Sequence, residues 1–178
     1  YSKDDLTING TGSLAINATT ADGISSSNDL IVTGGTILVN AADDGMRGKD
    51  CVKIGGGNIT INATGDGIKS TNDSESDRGF VRITDGAIAI TAQRKGIKAE
   101  TYARLAGGNV TVTAADDSIH SNIDGVLDGC TVTLSSGDDG FHTEYNLTVS
   151  GGTLNILSCV EGLEGQVVTI SGGENHIL

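Results

Sequence analysis

Hydrophobic and polar residues alternate in short runs along the whole 178-residue chain. In pairs such as Ile59 and Ile61, or Val110 and Val112, one polar residue separates two apolar ones. A period of two predicts β-strands that bury one face. No window keeps a helical period over ten residues, so the pattern predicts strands and no helix.

The alternating pattern returns at a fixed interval along the chain. Each unit begins with a charged leading residue, followed in most units by glycine and a large apolar residue, as in Asp66-Gly67-Ile68. Every step is 22 residues except one of 29, and the leading residues are Asp22, Asp44, Asp66, Lys95, Asp117, Asp139 and Glu161. Each unit holds three short strand-like runs separated by glycine turns such as Gly34-Gly35, whose positive φ allows a sharp corner.

Such a repeat cannot bury its apolar face alone, whereas stacked units share one continuous core. The sequence therefore predicts an all-β fold, a right-handed single-stranded parallel β-helix (a solenoid) of about eight coils. Residues 1–178 form one domain in this interpretation. The chain begins and ends in mid-pattern without a capping helix, so we expect the natural protein to continue beyond these ends.

Composition restricts the function. The net charge of −12 and the pI near 4.4 disfavour nucleic acid and anionic membranes as partners, because both require a basic surface. No apolar run approaches the roughly 20 residues of a membrane span, so no membrane insertion is expected. The three cysteines are odd in number and lack metal-type spacing, which predicts buried free thiols within strands at Cys51, Cys130 and Cys159.

Stacking places the leading residues in one acidic column, with neighbours about 4.8 Å apart. Carboxylates at that distance repel, so backbone N–H groups, a neighbouring base or a cation must offset them. Dense carboxylate oxygens suit Ca²⁺ rather than Zn²⁺ or copper. The predicted calcium ligands are Asp43, Asp44, Asp66, Asp116, Asp117, Asp138, Asp139 and Glu161. The alternative is that each Asp only caps its own turn, with the next glycine supplying a positive φ.

Side chains after the leading residue alternate inward and outward, and the outward ones form a polar strip with a basic middle and an acidic end. A long, flat, polar surface suits an extended polymer better than a small molecule in a closed pocket. The predicted carbohydrate-binding residues are Arg47, Lys49, Lys69, Lys98, Glu100, His120, His142 and Glu144. Solvated surface charge is an equal alternative, and a metal site built on the two histidines is a less favoured one.

The long step in the repeat adds a polar stretch after Lys69 and before a strand at Phe80. Insertions in solenoids lie at corners and often line the binding face. A surface loop that is merely tolerated is an equally good interpretation.

Four segments of the chain carry a resemblance to a known family: Tyr1-Ser2-Lys3-Asp4-Asp5-Leu6, Asp43-Asp44-Gly45-Met46-Arg47-Gly48-Lys49-Asp50, Gly65-Asp66-Gly67-Ile68-Lys69-Ser70 and Glu161-Gly162-Leu163-Glu164-Gly165. They resemble the secreted bacterial carbohydrate-binding β-helix proteins. That family is pectate-lyase-like and includes a clostridial cell-surface protein. The resemblance implies bound calcium, plant cell-wall polysaccharide such as polygalacturonate and cellulose as partner, and an extracellular or bacterial cell-surface location. The chain departs from the motif at Arg94-Lys95-Gly96, which argues against a calcium site centred on that coil.

The favoured function is noncatalytic, calcium-dependent binding of an acidic polysaccharide by a monomer. With no Trp and few aromatic residues, charge is a better basis for recognition than ring stacking. One alternative is a calcium-dependent pectate lyase with Lys69 or Lys98 as its base. The other is a purely structural or adhesive surface solenoid.

Overall fold

A computed structural model describes all residues 1–178, in nineteen strands and no helix. The chain therefore has no helix that could cross a membrane. The strands are β1 (Leu6–Ile8), β2 (Ser13–Ala18), β3 (Ile24–Ser26), β4 (Asp29–Val32), β5 (Thr36–Ala41), β6 (Met46–Gly48), β7 (Cys51–Ala63), β8 (Ile68–Ser70), β9 (Phe80–Ala92), β10 (Ile97–Ala99), β11 (Tyr102–Leu105), β12 (Asn109–Ala114), β13 (Ile119–Ser121), β14 (Asp124–Ser136), β15 (Phe141–Thr143), β16 (Asn146–Ser158), β17 (Leu163–Glu164), β18 (Val167–Ile170) and β19 (Glu174–Ile177).

The strands form two parallel sheets that run along the solenoid axis. The short sheet has seven strands: β3, β6, β8, β10, β13, β15 and β17. The long sheet has the other twelve, arranged as two adjoining columns. The predicted parallel solenoid, with about 22 residues per coil and no helix, is confirmed.

Four strands differ from the three-run pattern predicted for each coil. β7, β9, β14 and β16 are each 13 residues long and pass through the glycine corner without ending. The register between β7 and β9 shifts near Gly55. The glycine corner is therefore accommodated there as an irregularity within a continuous strand, and the two predicted runs become one.

The core consists of equivalent residues stacked on one another. Met46 pairs with Ile68, Ile68 with Ile97, and Ile119 with Phe141, and all of these side chains are fully buried. They belong to one cluster of 35 buried residues that runs through the coils. Burying each large aliphatic side chain stabilises the fold by about 1.5–3 kcal/mol, which explains why the inward positions stay apolar in every coil.

Glycine occupies two places in most coils, for different reasons. At the corner, Gly35 and Gly57 have φ values of +98° and +103°, as predicted. Gly67, which follows a leading residue, has no positive φ. A Cβ there would lie 2.3 Å from Ile90 Cγ2 and 2.5 Å from the Gly96 carbonyl oxygen. The expectation of a positive φ after the leading residue is therefore wrong, and close approach between coils is the reason for this glycine.

The cysteine prediction holds for two residues of three. Cys51 and Cys130 are free, buried and within β7 and β14. Burial, together with the neighbouring Asp29 carboxylate, raises the pKa of Cys51 to about 12. Cys159 is also free but half-buried, and it lies just after the end of β16.

Candidate functional site

The carboxylates of the acidic column are hydrogen-bonded from one coil to the next. Asp44 Oδ1 accepts the backbone N–H of Asp66 at 2.9 Å, and Asp66 Oδ1 accepts that of Lys95 at 3.1 Å. Asp117 and Asp139 repeat the arrangement at 3.2 and 3.3 Å. Each carboxylate thus caps the following coil rather than its own turn, which corrects the alternative considered from the sequence.

In the N-terminal half of the column, basic side chains lie between the carboxylates. Lys69 Nζ is 3.2 Å from Asp44 Oδ2 and 2.8 Å from Asp66 Oδ2. Arg47 Nε is 2.7 Å from Asp22 Oδ2. These two bases come from the polar strip, so Lys69 joins the predicted carbohydrate-binding strip to the predicted calcium ligands Asp44 and Asp66.

Lys95 neutralises carboxylates in the same way in the next coil, from within the column itself. Its Nζ lies 3.0 Å from Asp116 Oδ2 and 2.5 Å from Asp117 Oδ2. Burial alone would raise the pKa of Asp117, but hydrogen bonds from His120 and Lys95 outweigh it and hold this pKa well below its usual range. Burial alone would lower the pKa of Lys95, yet its bonds with the two aspartates raise it. Both groups therefore stay charged at neutral pH.

The C-terminal half of the column has no lysine or arginine. Asp138, Asp139, Glu161 and Glu164 form no ion pair with either type of residue. Only His142 approaches, with Nδ1 3.5 Å from both Asp139 Oδ2 and Glu164 Oε2. The pKa values of Glu161 and Glu164 are both raised. The larger cause is hydrogen-bonding contact with Asp139, and the smaller one is burial. This end of the column thus carries uncompensated negative charge.

The fold gathers most of the predicted calcium ligands into three oxygen-only groups, each with ligand atoms within 4.8 Å of one another. These groups are Asp22 with Asp43 and Asp44, Asp116 with Asp117 and Asp138, and Asp138 with Asp139 and Glu161. Asp66 joins none of them, and its carboxylate contacts Lys69. Asp22 was missed as a ligand, although its place in the 22-residue repeat pointed to it. The calcium role of these residues stays a prediction.

Most basic side chains of the polar strip are already paired with carboxylates of the chain. Lys98 pairs with Glu100 at 3.1 Å, and only Lys49 among its four predicted bases has no ion pair. His120 lies in register with Lys98 and His142 on the outer face, but its ring is covered: it is 9% exposed, with Nδ1 2.8 Å from Asp117 Oδ2 and Nε2 2.9 Å from Asn122 Oδ1. Glu144 is exposed. Carbohydrate binding at this strip also stays a prediction.

The clefts of the molecule lie elsewhere, on the long sheet. None of the three is lined by a residue of the short sheet. The largest, about 390 Å³, lies between the inserted loop and the N-terminal coils and is lined by Asp77, Arg78, Lys53 and Phe80 among others. The second, about 220 Å³, shares Lys53 and adds Arg82. The inserted loop therefore does border the main concave surface.

The inserted loop is fixed to the coil beneath it. The Asn72 side chain donates a 2.8 Å hydrogen bond to Asp50 Oδ1, and Asn72 Oδ1 accepts the Ser74 backbone N–H at 3.1 Å. Arg78 forms an ion pair with the other oxygen of Asp50. The wall of the largest cleft is thus held in place by buried polar contacts.

Sequence reasoning missed a basic row on the long sheet, formed by Lys53, Arg82 and Arg104 on three successive coils. Lys53 pairs with Asp29 at 2.9 Å and Arg104 with Asp128 at 2.5 Å. Arg82 is exposed and has no ion pair. The signal was present in the sequence, since the three bases fall at the same offset from their leading residues once the insertion is allowed for.

Two aromatic rings stand beside this row. Phe80 and Tyr102 are stacked in parallel, with ring centroids 4.7 Å apart and an interplanar angle of 5°. Lys53 Nζ lies 5.4 Å from the Phe80 centroid, within the range of a cation–π contact. Each ring therefore covers one face of the other.

The structure is thus a parallel solenoid with three open clefts along its long sheet. A model of the family described as "Carbohydrate-binding domain-containing protein" matches residues 1–178, and the chain belongs to that family. A protein of Acetivibrio thermocellus with the same description is 56% identical to it over 41 residues. That match spans 23% of this chain and 14% of the relative. No solved structure matches the chain.

The comparisons confirm the resemblance at the level of a carbohydrate-binding family with a clostridial relative. The pectate-lyase-like character and the polysaccharide that is bound stay predictions. The calcium dependence and the extracellular or cell-surface location stay predictions as well.

Proposed function

We propose that the chain binds an acidic polysaccharide without cleaving it, along the outer face of the long sheet. The family supports a carbohydrate ligand. The observation that carries the acidic character is Arg82, an exposed guanidinium without an ion pair at the centre of the basic row. Arginine binds carboxylate groups through two parallel hydrogen bonds, which suits a uronate sugar.

The flanking members of the row extend the same surface. Lys53 lies one coil before Arg82 and Arg104 one coil after it, and successive coils are about 4.8 Å apart. Each is paired with one aspartate, which leaves further donors for sugar hydroxyls and carboxylates. The clefts beside Lys53 and Arg82 give the ligand a concave surface, whereas the polar strip has none.

Calcium enters this proposal as a means of reducing repulsion. A chain of net charge −12 repels a polyanion except where cations lie on its surface. The oxygen-only group of Asp22, Asp43 and Asp44 has the donor set that Ca²⁺ prefers, and its Asp43 forms no ion pair. We therefore propose that Ca²⁺ increases affinity. The sequence resemblance supports a polygalacturonate-like plant cell-wall polymer and an extracellular or cell-surface location.

Binding is favoured over a lyase reaction by the state of the proposed bases. Burial tends to lower the pKa of Lys69, but hydrogen bonds and charge from Asp66 and Asp44 raise it overall. A lysine that holds its proton so firmly is a poor general base at neutral pH. Lys98, the other candidate, is paired with Glu100.

The test compares Arg82→Gln with Lys49→Gln, since both residues are exposed and free of ion pairs, but Arg82 lies on the long sheet and Lys49 in the bend that follows β6 of the short sheet. Affinity for polygalacturonate is measured with and without Ca²⁺ while absorbance reports unsaturated product. We expect Arg82→Gln to weaken binding about 10-fold, the value of one charge-assisted contact, and Lys49→Gln to leave it unchanged.

Equal binding by the wild type and Arg82→Gln would refute the long-sheet surface, and a loss only in Lys49→Gln would favour the polar strip. Rising absorbance would show a lyase. Absence of both binding and product would favour a structural or adhesive solenoid.

A further inference from the structure

The C-terminal end of the acidic column holds a group with mixed donors that differs from the oxygen-only groups. Asp139 leads its coil, His142 lies on β15, and Glu164 lies on the adjacent β17 in register with His142. One nitrogen and two carboxylate oxygens of these residues lie within 4.8 Å of one another. The group thus consists of His142 Nδ1, Asp139 Oδ2 and Glu164 Oε2.

The distances within this group are unlike those of hydrogen-bonded pairs elsewhere in the column. His142 Nδ1 is 3.5 Å from each of the two oxygens. The neighbouring His120 Nδ1 makes an ordinary 2.8 Å contact with Asp117 Oδ2. Ligands bound at about 2.0–2.1 Å around a tetrahedral metal are separated by roughly 3.3–3.4 Å. The wider spacing at His142 therefore suits ligands around a shared cation better than a direct hydrogen bond.

The charge of the group also favours a bound cation. The Asp139 side chain is only 6% exposed, and its Oδ1 accepts the Glu161 backbone N–H. Its Oδ2 faces His142, with 3.5 Å between Oδ2 and Nδ1. One coil earlier, the equivalent Oδ2 of Asp117 contacts the ammonium group of Lys95, and no lysine or arginine supplies such a contact to Asp139.

We propose that Asp139, His142 and Glu164 form a binding site for a first-row divalent cation of the Zn²⁺ type. An imidazole nitrogen with two carboxylates is a donor set that Zn²⁺ accepts and that Ca²⁺, which prefers oxygen, does not. The half-exposed Glu164 leaves room for water as a further ligand. This revises the calcium role predicted for Asp139, and it is independent of the proposed polysaccharide binding.

Two residues border the His142 imidazole. The His120 ring meets the His142 ring edge-on, with centroids 4.7 Å apart and an interplanar angle of 69°. Glu144 Oε1 lies 3.8 Å from His142 Nε2, on the side opposite the proposed cation. A carboxylate beside the distal nitrogen of a ligating histidine is a common feature of metal sites, because it favours the tautomer that binds metal through the other nitrogen.

The adjacent group of Asp117, His120 and His142 is less suited to a metal. Asp117 Oδ2 already contacts Lys95 Nζ at 2.5 Å and His120 Nδ1 at 2.8 Å. His120 Nε2 contacts Asn122 at 2.9 Å. Binding a cation there would require displacement of an ammonium group, so the site centred on His142 is the one we assign.

The test is calorimetric titration of chelator-treated protein with Zn²⁺, with and without a large excess of Ca²⁺. We expect one Zn²⁺ per chain in the wild type, resistant to Ca²⁺. Binding should weaken at least about 10-fold in Glu164→Gln and in His142→Lys, whose ammonium group imitates that of Lys69 and should preserve the fold. His176→Lys is the matched control, because this exposed histidine pairs only with Glu174.

Co²⁺ serves as a spectroscopic probe of the same site. Its visible absorption should report nitrogen and oxygen ligation in the wild type and in His176→Lys, and be lost in His142→Lys. Unchanged Zn²⁺ affinity in a folded His142→Lys variant, ready displacement by Ca²⁺, or no stoichiometric binding in the wild type would each overturn the proposal.

Discussion

The two halves of the acidic column have the same coil backbone, apart from the insertion between Asp66 and Lys95, but different counter-charges. In the N-terminal half, Lys69 and Lys95 each lie between two carboxylates. In the C-terminal half, only His142 approaches Asp139 and Glu164. One half is therefore neutralised by the chain itself, whereas the other depends on protons or external cations.

This difference shows that the two oxygens of a leading carboxylate can serve different purposes. Oδ1 has a structural task in Asp44, Asp66, Asp117 and Asp139, since it accepts an N–H from the following coil. Oδ2 is the variable atom, and its environment is decided by the residue three positions later or by a side chain of an adjacent coil. A lysine occupies this oxygen at Asp66, whereas His142, at 3.5 Å, leaves that of Asp139 available for a ligand.

Lys69→Met is expected to have the largest effect, because it leaves the buried carboxylates of Asp44 and Asp66 without their common partner. Removing one member of a buried ion pair costs about 3–5 kcal/mol of unfolding free energy. Urea denaturation measures the loss. Lys49→Met, at an exposed position without an ion pair, should change the free energy by less than about 0.5 kcal/mol. Equal effects of the two substitutions would contradict the view that lysine neutralises this half.

His142→Lys should instead stabilise the protein, because it gives the C-terminal half of the column a lysine between two carboxylates, as in the N-terminal half. An ammonium group between Asp139 and Glu164 is expected to stabilise the metal-free protein by up to about 1 kcal/mol at neutral pH, given that Glu164 is half exposed. Thermal denaturation in the presence of a chelator measures the change, with His176→Lys as control. A lower Tm in a folded His142→Lys variant would show that charge repulsion does not limit the stability of the C-terminal coils.

Glu161→Gln is expected to have the smallest effect, because Glu161 is exposed to solvent. Removing its charge relieves repulsion with Asp139, so we expect a slight rise in Tm at low ionic strength that disappears as salt screens the charges. Asp73→Asn on the inserted loop serves as the control for removal of one negative charge. A rise in Tm that persisted at high salt, or that appeared equally in Asp73→Asn, would argue against local repulsion.

Much of the fold could be predicted by counting along the chain. The 22-residue step brought Met46, Ile68 and Ile97 into one ladder, and the structure places them in register. Counting also locates the basic row of Lys53, Arg82 and Arg104 in principle. That row was missed because its bases lie on the second strand of each coil, away from the strand that follows the leading residue.

The candidate sites were harder to predict because long side chains can reach more than one neighbour. The sequence placed Lys69 on an outward strip and Asp66 in a separate column. In the structure the four-carbon stem of Lys69 bends back so that its ammonium contacts Asp66, three residues earlier. Likewise, His120 was expected to face solvent, but its hydrogen bonds with Asp117 and Asn122 bury the ring.

The sequence by itself determined the solenoid, the coil length, the inward ladders and the members of the acidic column, because each follows from a period that repeats along the backbone. Tertiary structure alone decided which carboxylates are neutralised, where the clefts lie and that Arg82 is free of ion pairs. Those properties depend on rotamers, on the position of the inserted loop and on distances of a few tenths of an ångström between neighbouring coils. Periodicity places residues in the same column, but only packing determines which of their atoms meet.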